Sequence, residues 1–402
     1  MKARKISERI TSVGAVDWDR RLFDALIPLP DGTSYNAYLV RGSEKTALID
    51  TVDPPFMDLL FSNLKGTGRL DYVVANHAEQ DHAGAIGAVL AKHPEAVLLC
   101  TPKCKDMLVD ELHIAPERVR TVGDNEKVSL GDRTLEFLHM PWVHWPETMT
   151  TWLPEEKTLF SCDFFGSHLA TNDLYVTDEA RAHEGAKRYY AEIMMPFRPP
   201  IRGHLERLSK FGVELILPSH GPGWRRPAFI MDAYKDWTSE SVKNTVVLPY
   251  VSMHGSTKVL VDALIEGLTA RGIAVERFDL SSVDLGRLAM ALVDAATVVI
   301  GTPAVLVGPH PHAVNAAYLA NALRPKTRFA SVIGSYGWGN KVVETLGGLM
   351  KNLKVEMLPP VLVKGLPRPD DLKKIEELAE TVAQRHRAAG ILSGETHVPQ
   401  EA

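Results

Sequence analysis

The chain has 402 residues, 45 % of them hydrophobic and 24 % charged, with a formal net charge of −5. That length exceeds one ordinary core and sets an expectation of two domains. The charge excludes a general basic footprint for nucleic acid, no apolar run reaches the roughly 18 residues of a membrane span, and the basic start Met1 to Lys5 is followed by no apolar stretch, so a cytoplasmic protein without nucleic-acid or membrane partners is expected.

Short apolar strands separated by turns are expected over Ile10 to Ala15, Phe23 to Pro28, Ser34 to Arg41 and Thr46 to Asp50, in antiparallel pairing. A strand-like run from Asp71 to Ala75 follows, then helices near Gly84 to His93 and Pro102 to Glu111 with a strand Ala96 to Cys100 between them. Strands near Lys127 to Leu130, Thr134 to His139, Thr150 to Leu153 and Thr158 to Ser161 lead to a mostly helical stretch, Asp178 to Phe211, and a strand Glu214 to Leu217. The segment Tyr234 to Asn244 reads as a charged connection. From Thr245 the pattern changes: five apolar strands alternate with five amphipathic helices, which predicts a doubly wound parallel sheet, and the tail after Ala389, with Gly390, Gly394 and Pro399, reads as frayed. The expected division is 1–244 and 245–402.

Candidate metal ligands gather where strands end. His77, Glu79, Asp81 and His82 crowd one strand-to-helix turn, and His144, Asp163 and His220 each lie just beyond another apolar run. Four strand ends meeting at one edge of a sheet sandwich would unite them. Four imidazoles and three carboxylates suit iron or manganese, whereas structural zinc recruits thiolate. A carboxylate such as Asp163 can bridge two cations and screen their repulsion, so two metals are expected. The three cysteines, Cys100, Cys104 and Cys162, form no CxxC pair, and Cys162 reads as buried packing. His139 and His168 read as supporting rather than ligating.

The HxxxDH layout of His77, Asp81 and His82 resembles the metallo-β-lactamase fold, an αββα sandwich whose hydrolases usually carry HxHxDH; here the second ligand position holds Glu79, which biases the site from zinc toward iron. The 62 residues between Asp81 and His144 and the 18 between His144 and Asp163 resemble the flavodiiron proteins, also called A-type flavoproteins. That resemblance implies one iron on His77, Glu79 and His144, another on Asp81, His82 and His220, and Asp163 bridging them. The 56 residues from Asp163 to His220 are fewer than in the family pattern, but Pro218, Ser219, His220, Gly221 and Pro222 match it.

In the second domain, Ser252, Met253, His254, Gly255, Ser256 and Thr257 follow the first strand and precede a helix, a place suited to a phosphate dianion. There is no GxGxxG and no P-loop lysine, so a monophosphate is expected over a dinucleotide. Two further loops follow the third and fourth strands: Gly301 to Gly308, with Thr302, Pro303, Ala304 and Val305, and Gly334 to Asn340, with Ser335, Tyr336, Gly337, Trp338 and Gly339. At a flavodoxin-like switch point all three meet at the carboxyl edge of the sheet, where FMN is expected. The arrangement resembles flavodoxin, with His254 where the family often has an aromatic residue and the apolar run Ala304 to Val307 where it is rich in asparagine. Asp24 takes a place where many relatives carry histidine.

The resemblance implies reduction of dioxygen to water, of nitric oxide to nitrous oxide, or both, with Tyr190 and Asp24 as candidate proton-relay groups. It further implies a head-to-tail homodimer or a tetramer, and, since the chain carries no rubredoxin-like CxxC module, an external donor, rubredoxin with its reductase. The competing readings are a zinc hydrolase fused to an electron-transfer module and a flavin electron carrier with an inactive metal domain.

Overall fold

The computed structural model describes residues 2–392; Gly394 and Pro399, read above as part of a frayed tail, lie outside them. Two compact units divide the chain, one of 1–190 and 197–239, the other of 191–196 and 240–402. The continuous part of the second unit begins at Glu240, and its first strand at Lys243, a little before Thr245.

The first unit is a sandwich of a seven-stranded and a five-stranded sheet. In the larger sheet the early strands pair antiparallel, as expected for Ile10 to Asp50, and Thr46–Ile49, Tyr72–Val74, Val97–Cys100 and Val119–Thr121 then run parallel to one another. The smaller sheet is an antiparallel meander, Lys127–Ser129, Thr134–His139, Met149–Leu153 and Thr158–Cys162, closed by Leu215–Pro218 parallel to its last strand. Side chains alternate across a strand, and here both faces are covered. Val74, Leu99 and Ile49 join Phe137, Met149 and Phe160 in a core between the sheets. Their neighbours Val73, Leu98 and Leu48 point the other way, into a core with Leu60, Ile86, Val89 and Leu108 from the helices. Double burial explains why these strands read as continuous apolar runs.

One element departs from the expectation. Tyr234 to Asn244 does not begin a charged connection; Pro227–Thr238 is a helix that buries Ile230, Tyr234 and Trp237. Its apolar positions fall three to four residues apart, and the charges of Asp232, Lys235 and Asp236 lie between them.

The second unit is a parallel sheet in which Lys243–Tyr250 sits between Ala274–Asp279 and Ala295–Val305, followed by Phe329–Tyr336 and Val361–Lys364. This is the 2-1-3-4-5 order, with its switch point between the first and third strands. The core takes Leu260, Leu264 and Leu268 from the helix Ser256–Thr269 and Ile375, Leu378 and Val382 from the helix Pro369–Ala388.

That last helix also buries His386, whose Nδ1–H donates to Asn244 Oδ1 at 2.8 Å while Nε2 accepts from the Thr297 hydroxyl at 2.7 Å. In this arrangement the ring is neutral, and burial holds its pKa down at about 4 from an ordinary 6.5. The unfolded chain binds a proton on this residue below pH 6.5, and the folded chain does so only near 4. The contribution to stability is therefore complete above this window and falls by about 1.4 kcal/mol per pH unit as pH drops through it. In urea unfolding at about pH 7 and about pH 5, His386→Gln should lose less stability on acidification than the parent; equal losses would refute the assignment.

Candidate functional site

The opening ligands depend on how the turn after Tyr72–Val74 is held. Asn76 donates its backbone N–H to Asp50 Oδ1 at 2.8 Å and its amide to Asp50 Oδ2 at 2.9 Å, and its Oδ1 accepts from the Thr151 hydroxyl at 2.8 Å. A backbone bond from Met149 to Asn76 O, 2.9 Å, completes the tie between the two sheets. Glu79 then caps the short helix Gln80–Ala83, which carries Asp81 and His82. The His82 carbonyl is gripped by the N–H of Thr51 at 2.8 Å and by its hydroxyl at 2.5 Å. On the far side, Asn36 and Tyr38 donate to Pro218 O at 2.9 and 2.8 Å, and Asn36 also donates to Gly221 O at 2.7 Å, which fixes the loop of His220.

All seven predicted ligands come together in two groups, His77, Glu79, His144 and Asp163 in one and Asp81, His82 and His220 in the other. In the first, Glu79 Oε2 lies 3.0 Å from His77 Nε2 and 3.1 Å from His144 Nε2. In the second, Asp81 lies 3.4 Å from His82 Nε2 and 3.2 Å from His220 Nε2. Separations of about 3 Å match the edges of a coordination shell with bonds of about 2.1 Å. Asp163 faces both groups. Its Oδ2 is 3.5 Å from His77 Nε2 and 3.6 Å from His144 Nε2, and its Oδ1 is 3.0 Å from His82 Nε2 and 3.5 Å from His220 Nε2.

The electrostatics of this cavity call for cations. Both oxygens of Asp81 and Oδ2 of Asp163 are buried and accept no hydrogen bond. A buried anionic oxygen with no donor costs several kcal/mol unless a cation faces it. Burial alone would raise the Asp163 carboxyl, but the His82 ring, by charge and hydrogen bond, and then His77 and His220 hold it well below the usual carboxylate range. Burial likewise opposes protonation of His82, yet Asp81 and Asp163 push it up to about 10. The donor set is oxygen and imidazole, and Cys162 offers no thiolate, because burial and the Asp163 charge push its thiol up. The residues fit a pair of hard or borderline cations such as iron.

The residues expected beside the ligands are sorted by the structure. Tyr190 lies against Tyr234 and Trp237, and its hydroxyl donates to the Trp237 carbonyl at 3.3 Å, so the relay role assigned to it is corrected. Tyr189 is the tyrosine at the cluster, its ring 5.6 Å from that of His220 and 4.8 Å from that of His168. The helix turns into a π-helical segment at Tyr190–Met194, and adjacent helical residues point about 100° apart. Asp24 sits on an exposed hairpin tip; burial of its carboxyl and then the charges of Glu79 and Asp81 raise it, which places it within electrostatic reach of the site. His168 is buried and bonded to Thr33 at 2.9 Å, and His139 bonds Val122 O at 3.1 Å; neither ligates. Glu147 was not foreseen. Buried, it accepts from His77 Nδ1 at 2.6 Å and from the Ala78 N–H at 3.0 Å. A carboxylate three residues after a candidate histidine ligand was the available signal.

In the second unit an open pocket of roughly 290 Å³ unites the three loops. The first supplies Ser252, Met253, His254, Ser256 and Thr257, the second Pro303 and Ala304, and the third Ser335, Tyr336, Gly337 and Trp338. Thr257 Oγ1 and Ser335 Oγ are 3.2 Å apart across it. Gly365, after the last strand, also lines the pocket and was not foreseen. Gly255 does not line it but caps the helix at a φ of 86°. Thr302 is buried beneath and accepts from the His310 N–H at 3.0 Å. Val305 and Gly308 stand outside the lining because the strand runs on to Val305 and folds back at Gly308–Pro309, so the expected loop is a hairpin; Gly339, on the third loop, is also outside the lining. Its turn residues Leu306 and Val307 both adopt left-handed φ, 48° and 75°.

Two substitutions test this geometry. Asp163→Asn removes the anion shared by both groups and should lower metal content at both positions; metal analysis showing parental content would refute a shared role. An added Cβ at Gly334 would lie 1.9 Å from Thr302 O, so Gly334→Ala must part the strands under the pocket. It should cost about 1–3 kcal/mol and weaken flavin retention, read from the thermal midpoint and the flavin-to-protein absorbance ratio.

Comparison with known proteins bears on both units. Residues 33–221 match the model of the ODP family beta lactamases and residues 248–378 that of the flavodoxins. The chain is 37 % identical over 391 residues to the nitric oxide reductase of Moorella thermoacetica, covering 94 % of this chain and 98 % of that protein. The rubredoxin oxygen:oxidoreductase from Desulfovibrio gigas superposes with a TM-score of 0.93 at 29 % identity, over 97 % of this chain and 100 % of that one. The flavodiiron protein from Giardia intestinalis gives 0.90 at 27 % identity, over 96 % and 97 %. With its ligand cluster, flavodoxin-type pocket and full-length likeness to these oxidoreductases, the chain belongs to the flavodiiron protein family.

Proposed function

We propose that this protein reduces dioxygen to water, nitric oxide to nitrous oxide, or both, with two irons per chain in the cluster and FMN in the pocket of the second unit. The observation that carries the proposal is Asp163, whose two oxygens face two separate groups, each of two imidazoles and one carboxylate. When bound, two ferrous irons and reduced FMN together supply the four electrons that dioxygen reduction needs, or the two that coupling of nitric oxide needs.

The protein's own contribution is to hold that chemistry in place. His77, Glu79 and His144 would hold one iron, Asp81, His82 and His220 the other, with Asp163 between. His220 Nδ1–H donates to Ser34 O at 2.6 Å, and His77 Nδ1–H to Glu147, so that each Nε2 keeps its lone pair for a metal. The only partly exposed ligands are Glu79 and His144, each 13 % exposed at the side chain, so a small gas molecule reaches the cluster on their side. Asp24, on the exposed hairpin tip and within the field of Glu79, would pass protons there; of the two expected relay groups it is the one that keeps the role. Ser252, Ser256 and Thr257 at the start of a 14-residue helix would bind the FMN phosphate, and Tyr336 and Trp338 would cover its ring.

We further propose rubredoxin as electron donor, in keeping with the name of the Desulfovibrio gigas relative, and a head-to-tail homodimer that brings the flavin of one chain to the irons of its partner. The hydrolase reading is not favoured: Glu79 stands where zinc hydrolases of this fold carry histidine, and the relatives are oxidoreductases by name.

Anaerobic protein should contain about two irons and one FMN per chain and, once chemically reduced, should be reoxidised rapidly by dioxygen, nitric oxide or both in stopped flow. Two zincs per chain with esterase activity would sink the proposal. Glu79→His should lower iron retention and gas turnover together; a variant with parental iron and full activity would remove the argument from Glu79.

A further inference from the structure

The two ligand groups are matched in their direct donors. Each has two imidazoles and one carboxylate, and each receives one oxygen of Asp163. With the direct donors matched in kind, a difference in charge between the two positions comes from what stands behind the ligands. Behind His220 is the neutral carbonyl of Ser34, at 2.6 Å from Nδ1, and Nδ1 of His82 is buried with no hydrogen-bond partner. Behind His77 stands a full negative charge. Glu147 Oε1 accepts from His77 Nδ1 at 2.6 Å with both side chains fully buried, and among the described residues it is the only carboxylate bonded to the remote nitrogen of a ligating ring.

Glu147 is itself firmly placed. The Ala78 N–H donates to the same Oε1 at 3.0 Å, and the Thr101 hydroxyl donates to the Glu147 carbonyl at 2.9 Å. The Trp145 ring meets His77 edge-on at 4.8 Å and shields the pair. A carboxylate on the remote nitrogen fixes the ring's tautomer and makes its other nitrogen a stronger donor. In a buried setting its charge also favours the more highly charged metal ion nearby, because little solvent screens the attraction.

We propose that Glu147 is a positioning residue that makes the position of His77, Glu79 and His144 the more readily oxidised and the more tightly held of the two. This inference rests on the proposed diiron function. What would change is the one-electron potential of an iron held by His77, Glu79 and His144, read against the mediator of a redox titration. The Nδ1 proton stays between His77 and Glu147, so no proton leaves the pair.

Three variants separate charge from packing. Glu147→Gln removes the charge but keeps an oxygen that can accept from both Ala78 and His77; Glu147→Ala removes both; Glu147→Asp restores the charge on a shorter arm. Iron content, chelator resistance and a mediator titration followed by electron paramagnetic resonance are measured on the full-length protein. Glu147→Gln should keep both irons and the parental flavin content, while the ferric-to-ferrous ratio in the first oxidation step falls at least tenfold at fixed potential, a rise of 59 mV or more for one electron. Glu147→Asp should recover part of that shift. Glu147→Ala should hold iron at one position roughly 10–100-fold more weakly, and anomalous diffraction should find the depleted site at His77.

A Glu147→Gln protein that titrates like a diiron parent overturns the inference and leaves the proposed function standing, and this comparison remains decisive if Glu147→Ala does not fold. Depletion at His82 and His220 instead of His77 overturns it as well. A parent protein that binds no iron overturns the proposed function, and the inference with it.

Discussion

The structure of the first unit depends on one electrostatic constraint: three carboxylates and four imidazoles must share a cavity from which water is almost excluded. Asp81, His82, Asp163 and His220 are at most 5 % exposed, and His77 is fully buried. Charges so placed are tolerated only if each meets an opposite charge or a donor. Asp163 lies at the centre, with one oxygen toward each half of the cluster. The neighbouring groups keep it anionic against the pull of burial, so its charge is available to both sides.

Holding such a cluster requires rigid support, and the sandwich supplies it at the ends of its strands. Strand ends are where the backbone leaves the ladder and can point side chains into a common space. The cost is a set of backbone groups without ladder partners, and polar side chains take up that role. Asp50 and Thr151 fix Asn76, Thr51 fixes the His82 carbonyl, and Asn36 with Tyr38 fixes the turn before His220. The buried carboxylate Glu147 does the same for His77 and Ala78, and in doing so places a hydrogen-bonded negative charge behind one of the two ligand groups. A cluster symmetric in its direct ligands is thereby made asymmetric by its surroundings.

The second unit solves a different problem with a different geometry. Its pocket is open, lies where strand order reverses, and is lined by the hydroxyls of Ser252, Ser256, Thr257 and Ser335 and by aromatic and apolar side chains that include Tyr336, Trp338 and Met253. Trp338 is 84 % exposed and Met253 50 %. Surface of that kind is costly to leave in water, and a flat ring with a charged phosphate tail would use both kinds of lining.

The candidate ligands and the two-part architecture were legible in the amino-acid order because both rest on local regularities: hydrophobic runs of strand length, helical periodicity, and polar residues placed just past each run. The replacement of a histidine by Glu79 also carried its chemical meaning without coordinates. What remained hidden depended on the phase of an element or on partners far apart in the chain. Adjacent tyrosines have the same composition signal, and only the direction of the helix at Tyr189, before it widens at Tyr190, decides which ring reaches the cluster. The stretch from Ala304 to Val307 reads as a loop, but pairing with Gly308 and Pro309 makes it a hairpin and removes Val305 from the pocket. Glu147 looks like any acidic residue near a proline until Asn76 brings the ends of Tyr72–Val74 and Met149–Leu153 together; Glu147 is seventy positions from His77 in sequence but 2.6 Å from it in space. The sequence by itself determined which donor atoms and which folds are present. Tertiary structure alone decided which charges stand behind which ligands, because a buried hydrogen bond is set by three-dimensional proximity and not by spacing along the chain.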